Sequence, residues 1–197
     1  MPKPSLKDAI LDAGLKAMFR TGYNGTSVRD VTAAAGAPQG SFTNHFRSKE
    51  SFASEVLERY FAHTRALVTE ALDDTSLTPR ARLKLYLDII TDRLEGDGWR
   101  RGCLIGDLSL EASGSSEVLR TRLAEIFAEW RAPFASCIAE AQMASEISSD
   151  FAADELAEFL LASWQGAILR MKVERSPEPL ERFKKIAFQT VFKELSS

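Results

Sequence analysis

Apolar residues recur at intervals of three and four along almost the whole chain, whereas alternating runs of Val, Ile and Thr are absent. The first spacing is typical of helices that bury one face, and the missing alternation argues against β-strands. Capping residues, prolines and glycines separate about nine such segments. The pattern therefore predicts an all-α fold of about nine helices.

The first four helices are bounded by residues that cap or break helices. Serine and threonine side chains accept hydrogen bonds from free N–H groups, glycine permits a left-handed turn, and proline suits a first helical position. We place these boundaries at Ser5 to Arg20 for the first helix, Thr21-Gly22 for its end, Thr26 or Ser27 for the second cap, Gly36 for the turn, Pro38 for the third start and Ser48 for the fourth cap.

The second part of the chain divides in the same way. Acidic and Gly/Ser-rich breaks separate five further apolar-periodic segments. We predict helices from Thr78-Pro79 to about Leu94, from about Cys103 to Ala112, from about Glu117 to Ala144, from an Asp150 cap to about Glu174, and from Ser176-Pro177 through Val191.

The segment from Thr26 to Glu50 contains a helix, a tight glycine turn, a short helix and a new cap. This is the layout of a helix-turn-helix, whose second helix enters the DNA major groove. The short helix carries amide and hydroxyl side chains that reach base edges or phosphates, while Phe42 and Phe46 mark the face that packs on the first two helices. A helical pair that is purely structural is the alternative.

Composition limits the remaining possibilities. The chain of 197 residues is 45% hydrophobic and 27% charged, as in ordinary globular proteins. Residues 1–50 carry seven Lys/Arg and four Asp/Glu, a net charge of +3. Since the whole chain has a net charge of −3, the remaining residues carry −6. A basic start on an acidic body suits a small DNA-reading head attached to a larger domain. No signal peptide or bilayer-spanning run is evident, so we expect a cytoplasmic protein without membrane partners.

Two stretches resemble the TetR family of transcriptional regulators. Residues 19–28, FRTGYNGTSV, match the entry to that family's second helix, and residues 36–50, GAPQGSFTNHFRSKE, match its recognition helix and following cap. The resemblance covers about residues 5–60. It implies an all-α homodimer that reads two successive major grooves of an operator, with the two heads about 34 Å apart.

By position, the resemblance implies a set of DNA-contact residues and leaves Tyr23 in the core. The family usually has a tyrosine at the position of Thr43, and that tyrosine commonly contacts a DNA phosphate. Because threonine is shorter, we expect this contact to differ here. A surface histidine without a role is the alternative for His45. The implied contacts are Ser27, Arg29, Gln39, Gly40, Ser41, Thr43, Asn44, His45 and Lys49.

Residues 100–111 and 164–176 resemble the subgroup that senses electrophiles and oxidants, including the N-ethylmaleimide and acrylate-pathway regulators. The resemblance implies that Cys103 is a sensor and that Lys172 is its partner. The subgroup usually has asparagine at the position where this chain has Asp107. The helix start and the preceding arginines favour the reactive thiolate at Cys103, while Asp107, one turn later, opposes it.

Alternatives remain at each position of this effector region. The alternative for Cys103 is an inert thiol in the core, and the alternative for Lys172 is a surface lysine. Cys137 is expected to be plain core. Aromatic and methionine side chains line either an apolar cavity or the core, and the residues involved are Trp164, Phe127, Trp130, Phe134 and Met171.

The last two helices are expected to form the dimer contact, because the helix over residues 152–174 is apolar almost all round and must be covered on both sides. A helix buried within a monomer is the alternative. The expected interface residues are Leu156, Phe159, Leu160, Phe183, Ile186 and Val191.

These observations predict a two-part chain, with a DNA-binding domain over residues 1–50, a connecting helix over 49–72, and an effector-binding and dimerisation domain over 51–197. We expect a repressor without cofactor or metal, whose partners are operator DNA, a small or electrophilic effector and a second copy. A thiol-dependent enzyme is one alternative, although both histidines lie far along the chain from Cys103. A helical interaction module without specific DNA binding is the other.

Overall fold

Residues 5–195 are described by the computed structural model, and they form nine α-helices without a strand. The all-α prediction is confirmed. The helices are α1 (Leu6–Gly25), α2 (Val28–Ala34), α3 (Gly40–His45), α4 (Lys49–Leu72), α5 (Pro79–Gly96), α6 (Leu104–Ala112), α7 (Glu117–Met143), α8 (Ala153–Glu174) and α9 (Glu178–Gln189).

Most of the predicted caps are present. The Ser27 hydroxyl accepts a hydrogen bond from the Asp30 N–H at 3.1 Å at the start of α2. Thr78 caps α5 ahead of Pro79 at the first helical turn. At α4, Ser48 and Ser51 exchange backbone-to-hydroxyl hydrogen bonds of 3.0 and 3.1 Å. These side chains satisfy N–H groups that have no partner within their own helix.

Three predicted boundaries are wrong. The first helix does not end at Thr21-Gly22, because α1 breaks at Gly22 and continues to Gly25. Asp150 does not cap α8: the N-cap is Ala152, and the Glu155 carboxylate accepts the Ala152 N–H at 3.1 Å. Glu155 thus replaces the missing cap side chain by reaching back from the third helical position. Val191 is not in α9, because that helix ends at Gln189.

The chain divides into two compact units. The first contains the described residues up to His63 together with Leu104–Ile126, and the second contains Thr64–Cys103 and the described residues from Phe127 onward. The first unit therefore includes α6 and the start of α7, which the division at residue 50 assigns to the effector part. That division remains a functional prediction.

In the first unit, α1 packs on α4 and α6. Ile10, Val56, Leu57 and Phe61 are fully buried, and Phe19 meets Tyr60 edge-on with ring centroids 5.6 Å apart. Ion pairs cover the edge of this core: the Arg59 guanidinium pairs with Asp8 and Asp12, and the Arg122 guanidinium pairs with Glu58. Apolar burial supplies most of the stabilisation, since half-exposed ion pairs contribute little.

In the second unit, α5, α7, α8 and α9 share one core. Tyr86 and Phe134 meet edge-on at 4.8 Å, and Trp164 lies against Phe183 at 5.4 Å. Arg82, 7% exposed, donates to the Leu72 carbonyl at 2.7 Å and to the Glu140 carboxylate at 2.5 Å. A buried guanidinium needs such partners because an unpaired buried charge is costly.

Among residues 5–195, every helix is too short or too polar to cross a membrane.

Candidate DNA-binding interface and effector region

Three phenylalanine rings hold the short helix α3 in place. Phe42, Phe46 and Phe52 lie 5.0 to 5.1 Å apart by ring centroid, and each is at most 4% exposed. Phe42 and Phe46 were expected to pack on the first two helices, and the structure shows that Phe52 of α4 completes the cluster. Such ring pairs contribute beyond their buried area, so α3 is anchored on one face and open on the other.

The predicted DNA contacts lie at the start of α2, in and just before α3, and at the start of α4. In the described structure, most of these side chains are exposed, while Ser41 and Lys49 are half-buried and Tyr23 is buried as expected. Groups that read base edges or phosphates must be accessible before DNA arrives, and this arrangement meets that condition. The exposed members are Ser27, Arg29, Gln39, Gly40, Thr43, Asn44 and His45.

Thr43, the position where the family usually has tyrosine, turns its hydroxyl back onto its own helix. The Thr43 Oγ1 donates to the Gly40 carbonyl oxygen at 3.0 Å. This bond uses the one proton that the hydroxyl can donate. Thr43 therefore presents mainly its methyl group and the oxygen lone pairs outward.

Lys49 is engaged within the protein. Its ammonium donates to the Asn24 carbonyl oxygen at 3.3 Å and stands 4.7 Å above the centre of the Tyr23 ring. Burial lowers the pKa of Lys49, and the negative charge of Glu111 partly opposes this. The cation lies at the first turn of α4, where free N–H groups already favour an anion.

Cys103 lies immediately before α6 and is 8% exposed. In the same unit, burial raises the pKa of the Tyr86 hydroxyl, and a negative charge at Cys103 raises it further, while Trp130 opposes the rise. Tyr86 therefore stays protonated near neutral pH. Arg101, one of the two arginines expected to favour the thiolate, pairs with Asp97 at 3.5 Å.

Cys137 is core, as predicted. It is 2% exposed, and its Sγ donates to the Pro79 carbonyl oxygen at 3.2 Å. Burial raises its pKa to about 12, although the nearby Arg82 lowers it. Since thiolate is the reactive form, this thiol is chemically quiet near neutral pH.

The remaining effector candidates differ in burial. Trp164 and Met171 are fully buried, whereas Phe127, Lys172 and Asp107 are half-buried. The Trp164 indole N–H has no acceptor among residues 5–195. An unpaired buried donor is rare enough to need an explanation, and a missing ligand is one explanation.

The residues predicted for the dimer contact on α8 and α9 differ in how far their own chain buries them. Leu156 and Leu160 are 6% and 0% exposed, so their own chain already covers both side chains. Phe159 and Ile186 are 46% and 54% exposed, and Phe183 and Val191 are half-buried.

Phe159 and Ile186 also line a groove of about 280 Å³ between α8 and α9. Leu169 and Val173, which the sequence analysis did not single out, are 49% and 75% exposed on α8. Their four-residue spacing places both side chains on one face of that helix.

Two family models match the chain. "Bacterial regulatory proteins, tetR family" matches residues 10–56, which contain α2, α3 and most of α1. "Tetracyclin repressor-like, C-terminal domain" matches residues 79–187, from the start of α5 into α9.

Individual proteins are similar over nearly the full length. The transcriptional repressor DhaR of Mycobacterium sp. is 44% identical, over 97% of this chain and 94% of that protein. The transcriptional regulator AcuR of Cereibacter sphaeroides is 36% identical, over 89% and 80%. The crystal structure of reduced NemR from Escherichia coli has a TM-score of 0.88 at 26% identity, covering 98% of this chain and all of that one.

These proteins are transcriptional regulators and not enzymes, which rejects the thiol-enzyme alternative. The matched residues include the helix-turn-helix with its exposed polar face, and the matches together cover most of the chain. The protein therefore belongs to the TetR family and is a DNA-binding transcriptional regulator.

Proposed function

We propose that two copies of this chain repress transcription by binding a palindromic operator, and that a small ligand or modification of Cys103 releases them. The observation that carries the DNA-binding part is the short helix α3, anchored by three phenylalanines on one face and polar and exposed on the other. A rigid helix with an accessible amide-rich face is what major-groove reading requires.

Selection from a random duplex library with the full chain tests this part. We expect a palindromic site with half-sites about one helical turn apart.

Asn44→Ala is expected to relax base preference at one position and to cost about 1–3 kcal/mol of binding free energy. Arg29→Ala is expected to weaken all duplexes similarly and to flatten the salt dependence. Lys185→Ala, which removes an exposed cation from α9, is the matched control. Recovery of no preferred duplex would contradict the proposal.

The proposed partner surface is the exposed apolar face of α8 and α9. Its members, Phe159, Leu169, Val173 and Ile186, are 46 to 75% exposed, and clustered exposed apolar side chains commonly mark an interaction surface. A twofold axis through this surface covers the same residues on both copies.

Sedimentation across a concentration series tests dimerisation. Ile186→Asp is expected to produce monomers and to weaken operator binding, because it places a charge in the contact. Val118→Asp is the control, since it places the same charge at a 57% exposed valine of another helix, α7. A wild-type chain that sediments as a monomer at micromolar concentration would overturn the dimer.

The proposed trigger acts through the start of α6. Cys103 is buried and directly precedes that helix, so an adduct on its sulfur must displace neighbouring atoms and the first turn of α6. Packed interiors do not absorb extra volume without such movement. Asp107 and Lys172 are proposed to tune the thiol.

N-ethylmaleimide is a suitable probe for this trigger. We expect it to release wild-type protein from operator DNA and to leave Cys103→Ser bound, with Cys137→Ser behaving like wild type. Release of Cys103→Ser by the same dose would remove Cys103 as the trigger.

Reversible release by a ligand is supported by the unpaired Trp164 indole N–H in the core. That donor suits a small apolar molecule with one oxygen acceptor, with Phe127 and Met171 as further contacts. A panel of small carboxylates and carbonyl compounds is the probe. Trp164→Phe keeps the ring, removes the donor, and is expected to weaken the response at least about tenfold.

A further inference from the structure

The α1 helix breaks at Gly22 before it reaches the DNA-reading helices. Gly22 has φ +73°, a left-handed conformation that interrupts the helical hydrogen-bond ladder. A break of this kind leaves backbone N–H and C=O groups without intrahelical partners. The Thr26 hydroxyl donates to the Gly22 carbonyl at 2.6 Å, and the Thr26 N–H donates to the Tyr23 carbonyl at 3.3 Å.

The Asn24 backbone is satisfied from outside the break. The Glu111 carboxylate, on the last turn of α6, accepts the Asn24 N–H at 3.0 Å. The Lys49 ammonium donates to the Asn24 carbonyl at 3.3 Å. Residues 24, 49 and 111 are far apart in the sequence, so this junction exists only in the folded unit.

The Glu111 carboxylate occupies the space beside residue 22 that a side chain would fill. A Cβ on Gly22 would lie 2.2 Å from one Glu111 carboxylate oxygen, well inside contact distance. Gly22 therefore meets two requirements at once, a left-handed backbone and room for the carboxylate. The absence of a side chain at residue 22 thus lets the Glu111 carboxylate lie where it accepts the Asn24 N–H.

The break leads directly into predicted DNA contacts. Ser27, three residues beyond Asn24, caps α2, and Lys49 begins α4. A shift of the Asn24 peptide moves the entry to α2 and removes the acceptor that holds Lys49. Glu111 also favours the charged form of Lys49 against the effect of burial on its pKa.

We propose that Glu111 is a positioning residue for DNA recognition: its carboxylate holds the break in α1 and, through the Asn24 peptide, the Lys49 ammonium. This inference rests on the proposed DNA-binding function. α6 reaches the DNA-reading head through this carboxylate, so loss of Glu111 reduces discrimination between operator and other DNA. General attraction to DNA is not weakened, because removal of a carboxylate takes away no cation that neutralises phosphate.

The experiment measures the ratio of affinities for the selected operator and for a scrambled duplex of equal length. Glu111→Ala is expected to lower this ratio at least tenfold. Glu111→Gln keeps an oxygen that accepts the Asn24 N–H, so a two- to fourfold loss is expected. Glu117→Ala is the matched control, because it removes an exposed carboxylate of the same unit that pairs only locally with Arg120, and its ratio is expected to stay within twofold.

Amide hydrogen exchange of the DNA-free protein separates positioning from a general loss of structure. In Glu111→Ala we expect faster exchange at Asn24 and unchanged exchange in α7. If the alanine variant does not fold, the glutamine variant carries the same comparison.

Two results overturn the inference: an unchanged affinity ratio in a folded Glu111→Ala protein, or unchanged exchange at Asn24. A wild-type chain that prefers no duplex is a different result, since it rejects the proposed function itself.

Discussion

The Phe52 ring of α4 lies directly over Gly14 of α1, so that a Cβ on residue 14 would stand 2.2 Å from the ring's Cζ atom. Phe52 is 1% exposed and also holds Phe42 and Phe46 behind the recognition helix. The missing side chain at residue 14 thus leaves room for the ring against which both of these phenylalanines pack.

Gly14→Ala is therefore expected to destabilise the protein by about 1–3 kcal/mol, because the buried ring has to move. Calorimetric unfolding measures this, and operator affinity is expected to fall with it as α3 shifts. The control is Gly96→Ala at the end of α5, where a Cβ meets nothing within 4 Å. Equal stability of the two variants would contradict the packing argument.

Thr43→Tyr is expected to tighten operator binding by about three- to tenfold, because the longer side chain reaches a phosphate that Thr43 cannot reach. Thr43→Val is expected to stay within about twofold of wild type, since the hydroxyl proton is already used by Gly40. Fluorescence anisotropy with labelled operator measures both affinities. A large loss in the valine variant would show that the hydroxyl itself contacts DNA.

The two cysteines are expected to differ in reactivity. Cys103 is expected to label with iodoacetamide well before Cys137, whose pKa is raised to about 12 and whose thiol is bonded to the Pro79 carbonyl. Peptide mass spectrometry after timed labelling at mildly alkaline pH gives the two rates. Protein unfolded in urea is the reference, in which both sites should react alike. Equal rates in the folded protein would contradict the assignment of Cys137 as inert.

The junction between α5 and α9 depends on pH. The Lys184 ammonium lies 2.9 Å from the Asp88 carboxylate. Burial alone raises the pKa of Asp88, but hydrogen bonds from Lys84 and Lys184 outweigh it and hold the pKa below its usual value. The stability contributed by Asp88 is therefore fully present above its unfolded pKa of about 3.9, and it is lost as the pH falls through the lower folded pKa.

Asp88→Asn tests this linkage. The variant is expected to be less stable than wild type near neutral pH by about 1 kcal/mol or less, because the pair is partly exposed. The difference should vanish as the pH falls through the folded pKa. Urea midpoints across pH measure the effect, with Asp92→Asn, an exposed position one turn further along α5, as control. A difference that grows on acidification would reverse the sign of the argument.

Much of the fold follows from local chemistry. Ser27 and Thr78-Pro79 mark helix starts that the structure confirms, because capping depends on residues close in the chain. Gly22 takes the expected left-handed conformation, but it breaks α1 without ending it. The helix-turn-helix and its exposed amide face follow in the same way, from spacing and residue type. The prediction of Asp150 as the cap of α8 was wrong. The helix begins after Ala152, whose N–H is accepted by the Glu155 carboxylate, and residue spacing alone did not indicate this arrangement.

The remaining features required tertiary structure. Periodicity shows that α8 is apolar on several sides, but it does not show which side its own chain covers. The structure buries Leu160 and leaves Phe159 exposed. Nothing in the sequence joins Glu111 to Asn24, or Gly14 to Phe52, since each contact brings together residues distant along the chain. Local hydrogen bonding and side-chain shape decide where helices begin and end, whereas contact between distant residues depends on how whole helices pack.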